Sequence, residues 1–523
     1  MTATLLHGTQ TISPTQFESR IARVGGGLTA LGVGANDVVA VMLRNEPAWL
    51  EIMLGSRPLG AYYVPMNWHF KADEAGYILR DCAAKVLFVG AELVAQIRDG
   101  IPEGMTVVVV PPSAATVKDF RIDAVETSAH IASSGMPLRH DWHDWPSWLA
   151  AQPPHTGNPQ PARGMMPYTS GTTGRPKGVR RVPFAPEEAA AAAQRAMLIT
   201  STVLGIEPGM RCLLSAPLYH SAPNGYGALV MQQADALMVL EPRFDAERTL
   251  ALIAEHRLTH AYLVPTMMVR MLGLAAEVKA RYDTSSLRYI GSTGSPCAPE
   301  VKRAMVEWMG PIVNEGYASS ESGYITKISS AEAARKPGSA GRAVGDAVIE
   351  IRDDTGLVLP TGEVGTIWCC QPAYGRVEYL NNPDATGKLK SGELLCVGDM
   401  GYLDAEGYLF ITDRKSDMVI SGGVNIYPAE IEAVLIGMPG VADCAVFGIP
   451  DAEMGESLLA CVQLRDGTAL SPEAIRTWLA ARIAGYKVPR KVELRDHLPR
   501  EDSGKIFKRK LRDAYWVGQT RKV

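Results

Sequence analysis

Thr169-Ser170-Gly171-Thr172-Thr173-Gly174-Arg175-Pro176-Lys177-Gly178 is the stretch on which the reading of this chain turns. Seven of its ten residues are Gly, Ser or Thr, and one lysine stands near its end. Glycines let backbone N–H groups approach an anion, hydroxyls donate further hydrogen bonds, and a lysine adds a mobile positive charge. The composition is that of a phosphate-holding loop. A flexible surface linker is the plain alternative, and Pro176 and Lys177 break the monotony that linkers show. The Walker pattern, Gly-x-x-x-x-Gly-Lys followed by Ser or Thr, does not fit. Gly174 is followed by Arg175 and Pro176 before the lysine, and Gly178 stands where the hydroxyl residue should be.

Working outward, a chain of 523 residues has room for roughly two to four domains. Its formal net charge of −4 supplies no basic field for nucleic acid, which is not expected as a partner. The first residues, MTATLLHGTQTISPTQFESR, lack a charged segment followed by an apolar one. No apolar run approaches the roughly 18 residues that span a bilayer, so a soluble, cytoplasmic protein is expected. A homodimer is compatible with a chain of this kind. The eight cysteines, Cys82, Cys212, Cys297, Cys369, Cys370, Cys396, Cys444 and Cys461, are scattered without metal spacing and read as reduced thiols.

Between residues 20 and 350 helical stretches alternate with short β-branched runs at 38–42 and 86–89 and strand-like runs at 213–216, 261–264 and 289–292. This predicts parallel α/β layering. Residues 111–161 read as irregular, and the run His140-Asp141-Trp142-His143-Asp144 as a solvated loop with aromatic anchors, since no further Cys or His completes a metal site. The alanine-rich segment 187–197 predicts a helix with Glu187 and Glu188 in its first turn. It follows so closely on the glycine-rich loop that strand, loop and helix are expected in succession. Residues 348–409 change texture to short β pieces between Asp353-Asp354-Thr355-Gly356, Pro360-Thr361-Gly362 and Asp404-Ala405-Glu406-Gly407, the turns of antiparallel strands. After Asp413-Arg414-Lys415-Ser416-Asp417 a compact α+β unit with a basic tail begins. The expected division is an N-terminal domain of stacked α/β sheets with a small β-barrel-like part, 1–413, and a small mobile domain, 414–523.

Extended to Tyr168 and Val179, the opening stretch resembles the signature of the adenylate-forming superfamily: acyl-CoA synthetases, the adenylation domains of peptide synthetases, and luciferases. The resemblance runs from about residue 12 to 513 with its motifs in the family's order. It implies that Thr169, Ser170, Gly171, Thr172, Thr173, Gly174 and Lys177 grip the departing pyrophosphate of ATP. Gly316-Tyr317-Ala318-Ser319-Ser320-Glu321 is similar to the family's aromatic-Gly-x-Thr-Glu motif, with Ala318 in place of Gly and Ser320 in place of Thr. It implies adenine packing for Tyr317, phosphate contact for Ser320 and magnesium for Glu321, a hard oxygen ligand beside phosphates. Alone, the hexad would read as a helix cap with an exposed Glu.

Ser292-Thr293-Gly294-Ser295-Pro296 aligns with the family's adenine loop, and Val397-Gly398-Asp399 with its Thr-Gly-Asp element, in which Asp399 accepts from the ribose hydroxyls. Arg414 stands at a second ribose position, although an arginine there could equally make an interdomain ion pair. Leu498-Pro499-Arg500-Glu501-Asp502-Ser503-Gly504-Lys505 resembles the element whose lysine reaches the reacting centre, which makes Lys505 the catalytic candidate beside Glu321, Thr169 and His220. Read alone, Lys505 joins Lys508, Arg509, Lys510 and Arg512 in a solvated charged face. By alignment on Arg414 the hinge is Ser416, where relatives often carry Asp or Lys. After the swing, Ser421, Gly422 and Gly423 would wall the thiol channel, with Tyr486 and Arg490 toward the nucleotide of CoA.

Pro217-Leu218-Tyr219-His220-Ser221 resembles the segment whose histidine borders the acid. The pocket wall is then expected from Asn224, Tyr226, Gly227, Met231, Tyr262, Val264, Pro265, Thr266 and Met267 with Gly291 and Gly316, a largely apolar or small set with no Asp for an amino acid. Glycine and alanine at 225–228 suggest room. The resemblance implies an ATP-, magnesium- and CoA-dependent ligase for a bulky apolar acid, fatty, aryl or steroid-like. An acyl-AMP ligase that loads a carrier protein, a non-catalytic adenylate-binding relative and a luciferase are the alternatives.

Overall fold

The structure is a computed structural model that describes residues 2–122, 142–169, 175–415, 417–421, 424–500 and 506–517. Two large sheets carry the α/β layering that the alternation predicts. One has six parallel strands in the order Trp142–Asp144, Thr106–Val110, Val86–Gly90, Val38–Met42, Tyr62–Pro65, Gly164–Met165. The other has nine, in the order Arg342–Ala343, Gly323–Ile328, Val313–Ser319, Tyr289–Ser292, His260–Tyr262, Arg211–Leu214, Leu237–Leu240, Thr4–His7, Gln10–Ile12. Its six central strands are parallel and its edges antiparallel.

Val38–Met42 and Val86–Gly90 are buried along their whole length, as apolar runs covered on both faces must be. The helix Pro47–Ser56 is also buried at all ten positions. It packs on the helix Pro14–Ala30 and on the helix Ser221–Val230, so no face is left for water, which explains an apolar sequence without a polar stripe. Its one charge, Glu51, is fully buried and takes a bidentate bond from Arg20 at 2.6 and 3.0 Å. One continuous core joins both sheets.

Residues 348–414 form the expected antiparallel part, a six-stranded sheet whose turns are built by Asp353 and Asp404, each accepting backbone N–H groups two and four residues on. A five-stranded sheet of Val419–Ser421, Val424–Ile426, Val441–Asp451, Gly455–Leu464 and Lys491–Leu494 follows. Helices Pro428–Ile436 and Pro472–Ala480 bury Ile431, Leu435, Ile475 and Leu479 against it in a second core.

Two local expectations change. Residues 111–161 hold more order than an irregular loop: Trp142–Asp144 is an edge strand, Asp144 caps the helix Trp145–Ala151 through the Ser147 N–H at 3.1 Å, and Trp145 and Trp148 are buried against Phe88. His140 and Asp141 lie outside the described residues. The phosphate-type loop does not lead into a helix. Tyr168–Thr169 and Lys177–Arg181 pair antiparallel, with Lys177 opposite Thr169, so the loop closes a hairpin. The helix Pro186–Leu204 starts only after that second strand ends.

Candidate active site

The hairpin strand Lys177–Arg181 is extended on its other edge by Val377–Tyr379, with Val179 opposite Tyr379. Gly178 must be glycine because a Cβ there would stand 2.9 Å from Tyr168 Cζ. The Tyr168 hydroxyl in turn donates to Asp81 Oδ2 at 2.7 Å. This places Thr169 and Tyr379 on one carboxylate, with Lys177 beside Tyr379. Glu321 Oε1 accepts the Thr169 hydroxyl at 3.3 Å and the Tyr379 hydroxyl at 3.0 Å, and Lys177 Nζ lies 5.1 Å over the Tyr379 ring. Burial, then the Glu321 charge, pushes the Tyr379 phenol above its ordinary range, so it stays a donor.

Glu321 is 7% exposed, not the exposed residue that its hexad alone would give. It sits at the tip between strands Val313–Ser319 and Gly323–Ile328, where Ser319 Oγ accepts the Ser322 N–H at 2.9 Å. Gly323 follows with φ +71°, and a Cβ on it would fall 2.2 Å from Tyr374 Cδ2. Arg181 braces the same tip: Nη2 donates to the Ser320 carbonyl at 3.0 Å and Nη1 to the Tyr374 carbonyl at 3.1 Å. Ser320 Oγ meets Ser221 Oγ at 2.9 Å, which joins the tip to the helix Ser221–Val230 that directly follows His220.

On the strand that leads into this tip, Tyr317 donates its hydroxyl to Asp399 Oδ2 at 2.6 Å, and Arg414 Nε stands 3.6 Å from Asp399 Oδ1. Asp399 and Arg414 are register partners on neighbouring strands. Burial and then Asp399 drive the Tyr317 phenol well above its ordinary range. Ser292 ends the strand Tyr289–Ser292 opposite Glu315, and its buried Oγ has no hydrogen-bond partner among the described residues. Thr293 is buried, and Gly294 turns the chain with φ +93° into open space.

The acid-pocket residues divide. Tyr226, Met231, Tyr262, Val264 and Met267 are buried, and the rings of Tyr226 and Tyr262 lie 5.6 Å apart. Pro265 opens the helix Pro265–Leu272, on which Thr266 is half-buried. Asn224 spends its side chain on the fold, accepting from the Tyr63 hydroxyl and donating to the Leu218 carbonyl at 2.9 Å. Of the small residues, Gly225 faces open space, whereas a Cβ on Gly227 would meet Leu50 and Leu214 at 3.1 and 3.2 Å. Gly291 and Gly316 back onto Leu204 and Val203 of the helix Pro186–Leu204.

In the C-terminal unit Ser421 lies opposite Val424 and Gly455. Tyr486 is 57% exposed, and Arg490 pairs with Asp451 at 3.0 Å. Ser170, Gly171, Thr172, Thr173, Gly174, Ser416, Gly422, Gly423 and Lys505 lie outside the described residues. Lys508 leaves the expected solvated face and pairs with Glu432 at 2.8 Å.

Arg181, Tyr379 and Tyr374 complete the site without having been expected there. Strand alternation puts Lys177, Val179 and Arg181 on one face, a signal available once the loop is read as a hairpin. Tyr379 belongs to no motif. Among the described residues no group of three or more His, Cys, Asp or Glu is arranged to hold a metal. Glu321 suits magnesium in another way: among the described residues both of its hydrogen bonds fall on Oε1, so Oε2 is the hard oxygen left for a cation that takes one carboxylate beside phosphates.

The chain matches the family described as AMP-binding enzyme over residues 2–376 and the AMP-binding enzyme C-terminal domain over 430–505. It is 33% identical over 503 residues to the long-chain-fatty-acid–CoA ligase FadD13 of Mycobacterium tuberculosis, covering 96% of this chain and 92% of that one. It is 31% identical over 514 residues to a feruloyl-CoA synthase of Amycolatopsis sp, covering 97% and 95%. The solved anthranilate CoA ligase AuaEII in complex with anthranoyl-AMP superposes with a TM-score of 0.83 at 27% identity over 98% of this chain and 94% of that one. The chain belongs to the AMP-binding enzyme family. Within it, the protein is an acid–thiol ligase, a carboxylic acid–CoA ligase of the AMP-forming kind.

Proposed function

We propose that this ligase activates a bulky apolar carboxylic acid as its acyl-AMP with release of pyrophosphate, and then passes the acyl group to the thiol of CoA. The observation that carries the reading is the buried carboxylate of Glu321, joined through Thr169 and Tyr379 to the hairpin of the glycine-rich loop. A carboxylate is a poor electrophile because its leaving group would be oxide. Its oxygen therefore attacks the α-phosphorus of ATP, and the bond to pyrophosphate breaks. Magnesium, when bound at Glu321, supplies charge neutralisation at the phosphates.

Thr169, Lys177 and the loop between them hold the departing pyrophosphate, while Arg181 keeps the Ser320–Glu321 tip in place from behind. Tyr317 offers its ring to adenine, beside the loop of Ser292, Thr293, Gly294 and Ser295. Asp399 and Arg414 take the ribose. Lys505 stabilises charge that develops between the reacting oxygens, an effect worth most where water is excluded. The thiol sulfur then attacks the acyl carbon and AMP leaves.

We divide the chain at 413/414 with Ser416 as hinge. The separate second core and the two family matches support that division. Tyr226, Tyr262, Val264, Met231 and Met267, with His220 at the carboxylate end, support an apolar acid, and the open side of Gly225 supports its bulk. A pyrophosphate-release screen over fatty, aryl, arylpropenoic and steroid acids, with amino acids as controls, each with and without CoA, tests the reading. Thiol loss with at least one of these acids is expected. Pyrophosphate release without thiol loss would move the acceptor to a carrier protein, and release with amino acids alone would overturn the apolar pocket.

A further inference from the structure

The tyrosines in and around the acid pocket fall into two groups. Three spend their hydroxyls on the fold: Tyr63 donates to Asn224 Oδ1, Tyr289 donates to the Val203 carbonyl at 2.7 Å, and Tyr374 meets Thr200 Oγ1 at 2.8 Å. Tyr226 and Tyr324 do not. They are 1% and 6% exposed, and neither hydroxyl has a hydrogen-bond partner among the described residues. The polar neighbour of Tyr226 is the buried Cys212 thiol, too weak a partner to satisfy a phenol. A buried hydroxyl left unpaired costs stability that a phenylalanine at the same position would not.

Both side chains stand in one layer, between the nine-stranded sheet and the helices Pro186–Leu204 and Ser221–Val230, which pack on each other. Tyr226 lies on the second of these helices, whose first residue meets the Ser320–Glu321 tip through Ser221 Oγ. Five helical residues carry it about 7.5 Å along the axis from Ser221, and its ring lies 5.6 Å from that of Tyr262. Tyr262 is the register partner of Gly291, which backs onto Leu204. Tyr324 stands on the strand Gly323–Ile328, directly after the tip. A Cβ on Gly316 would meet the Tyr324 ring at 3.3 Å and Val203 at 2.4 Å, so Tyr324 shares the sheet face that looks toward the helices. Burial holds both phenols well above their ordinary range, and each remains an O–H donor at neutral pH.

We propose that Tyr226 and Tyr324 are specificity-determining residues that donate to oxygen substituents on the body of the acid, hydroxyl or keto groups remote from its carboxylate. The inference rests on the reading above that the acid lies in this layer with its carboxylate toward His220. The rest of the acid's body meets the apolar wall of Met231, Val264 and Met267. A site with buried donors discriminates against the analogue that lacks the oxygen, because the donors are then left unpaired in the complex as well.

The test compares kcat/KM for pyrophosphate release within pairs of acids that differ only in that oxygen: phenylpropanoate and its para-hydroxyphenyl form, decanoate and its terminal hydroxy acid, a cholanate and its ring-A hydroxy and keto forms. Wild type is expected to favour the oxygenated member of at least one pair by about tenfold or more. In the double variant Tyr226→Phe/Tyr324→Phe that preference should fall to within about threefold of parity. Each single phenylalanine variant should melt, without ligands, at or above the wild-type temperature, since it removes an unpaired hydroxyl. No preference in any pair, or a preference that survives in the double variant, would overturn the proposal, and so would a single variant that melts more than about 3 °C lower, because its hydroxyl would then already be paired. A wild-type chain that releases no pyrophosphate with any acid would overturn the ligase reading itself, a result separable from an active wild type that does not distinguish the members of a pair.

Discussion

Replacing Glu321 with glutamine should leave the ligand-free protein about as stable as before and impair the enzyme. Glu321 is 7% exposed and, among the described residues, its two hydrogen bonds come from neutral hydroxyls, both on Oε1. Glutamine keeps an acceptor oxygen for Thr169 and Tyr379 and relieves the desolvation of a buried charge. The Arg181 guanidinium lies within electrostatic reach, and loss of that interaction offsets the relief. The net change should stay within about 1 kcal/mol, a shift in Tm of no more than about 3 °C for a domain of this size. The neutral amide is a poorer magnesium ligand, so pyrophosphate release should fall by about 10²-fold and need more magnesium for half-saturation. Thermal melting without ligands and a magnesium titration of pyrophosphate release measure the two effects. A variant that titrates magnesium like the wild type would refute the assignment of Glu321.

Tyr379→Phe removes one of the two donors to Glu321 among the described residues and should cost about 1.5 to 3 kcal/mol of whichever state uses it, visible as a shifted magnesium titration with unchanged acid selectivity. Arg181→Lys keeps the charge but not the fork that spans the Ser320 and Tyr374 carbonyls, and adenylation should fall about tenfold; activity equal to wild type would remove Arg181 from the site. Lys505→Ala should cut acyl-AMP formation by about 10² or more while transfer from pre-made acyl-AMP to CoA survives. For pH, burial lowers His260 from 6.5 to about 4, so the folded state favours the neutral ring. Its contribution, up to about 3 kcal/mol, is complete above pH 6.5 and is lost as pH falls toward 4. His260→Gln should flatten the Tm–pH profile in that window, and an unchanged slope would contradict the shift.

Much of this was readable from the chain because the chemistry that holds phosphate demands unusual letters at close spacing. The run at residues 169–178 and the tip at Ser320-Glu321 are short and local, and strands such as Val38–Met42 and Val86–Gly90 stand where their β-branched residues predict. Tyr379 was illegible because it reaches Glu321 from 58 residues away, through a strand pairing that no local pattern encodes. The hairpin was misread for a nearer reason. Arg180 and Arg181 look like two exposed charges, yet strand alternation sends Arg180 out to Glu378 and Arg181 inward to Ser320. Lys508 was hidden likewise: a run of basic letters suggests a solvated face, and only the fold brings Glu432 within 2.8 Å of its ammonium.

The central claim is a two-step ligation through acyl-AMP, and product stoichiometry tests it most directly. Wild-type protein given ATP, magnesium, CoA and an acid selected by the pyrophosphate screen should yield AMP, pyrophosphate and acyl-CoA in equal amounts, with acyl-AMP accumulating when CoA is withheld. ADP and phosphate as products, or acyl-CoA formed without AMP, would contradict it.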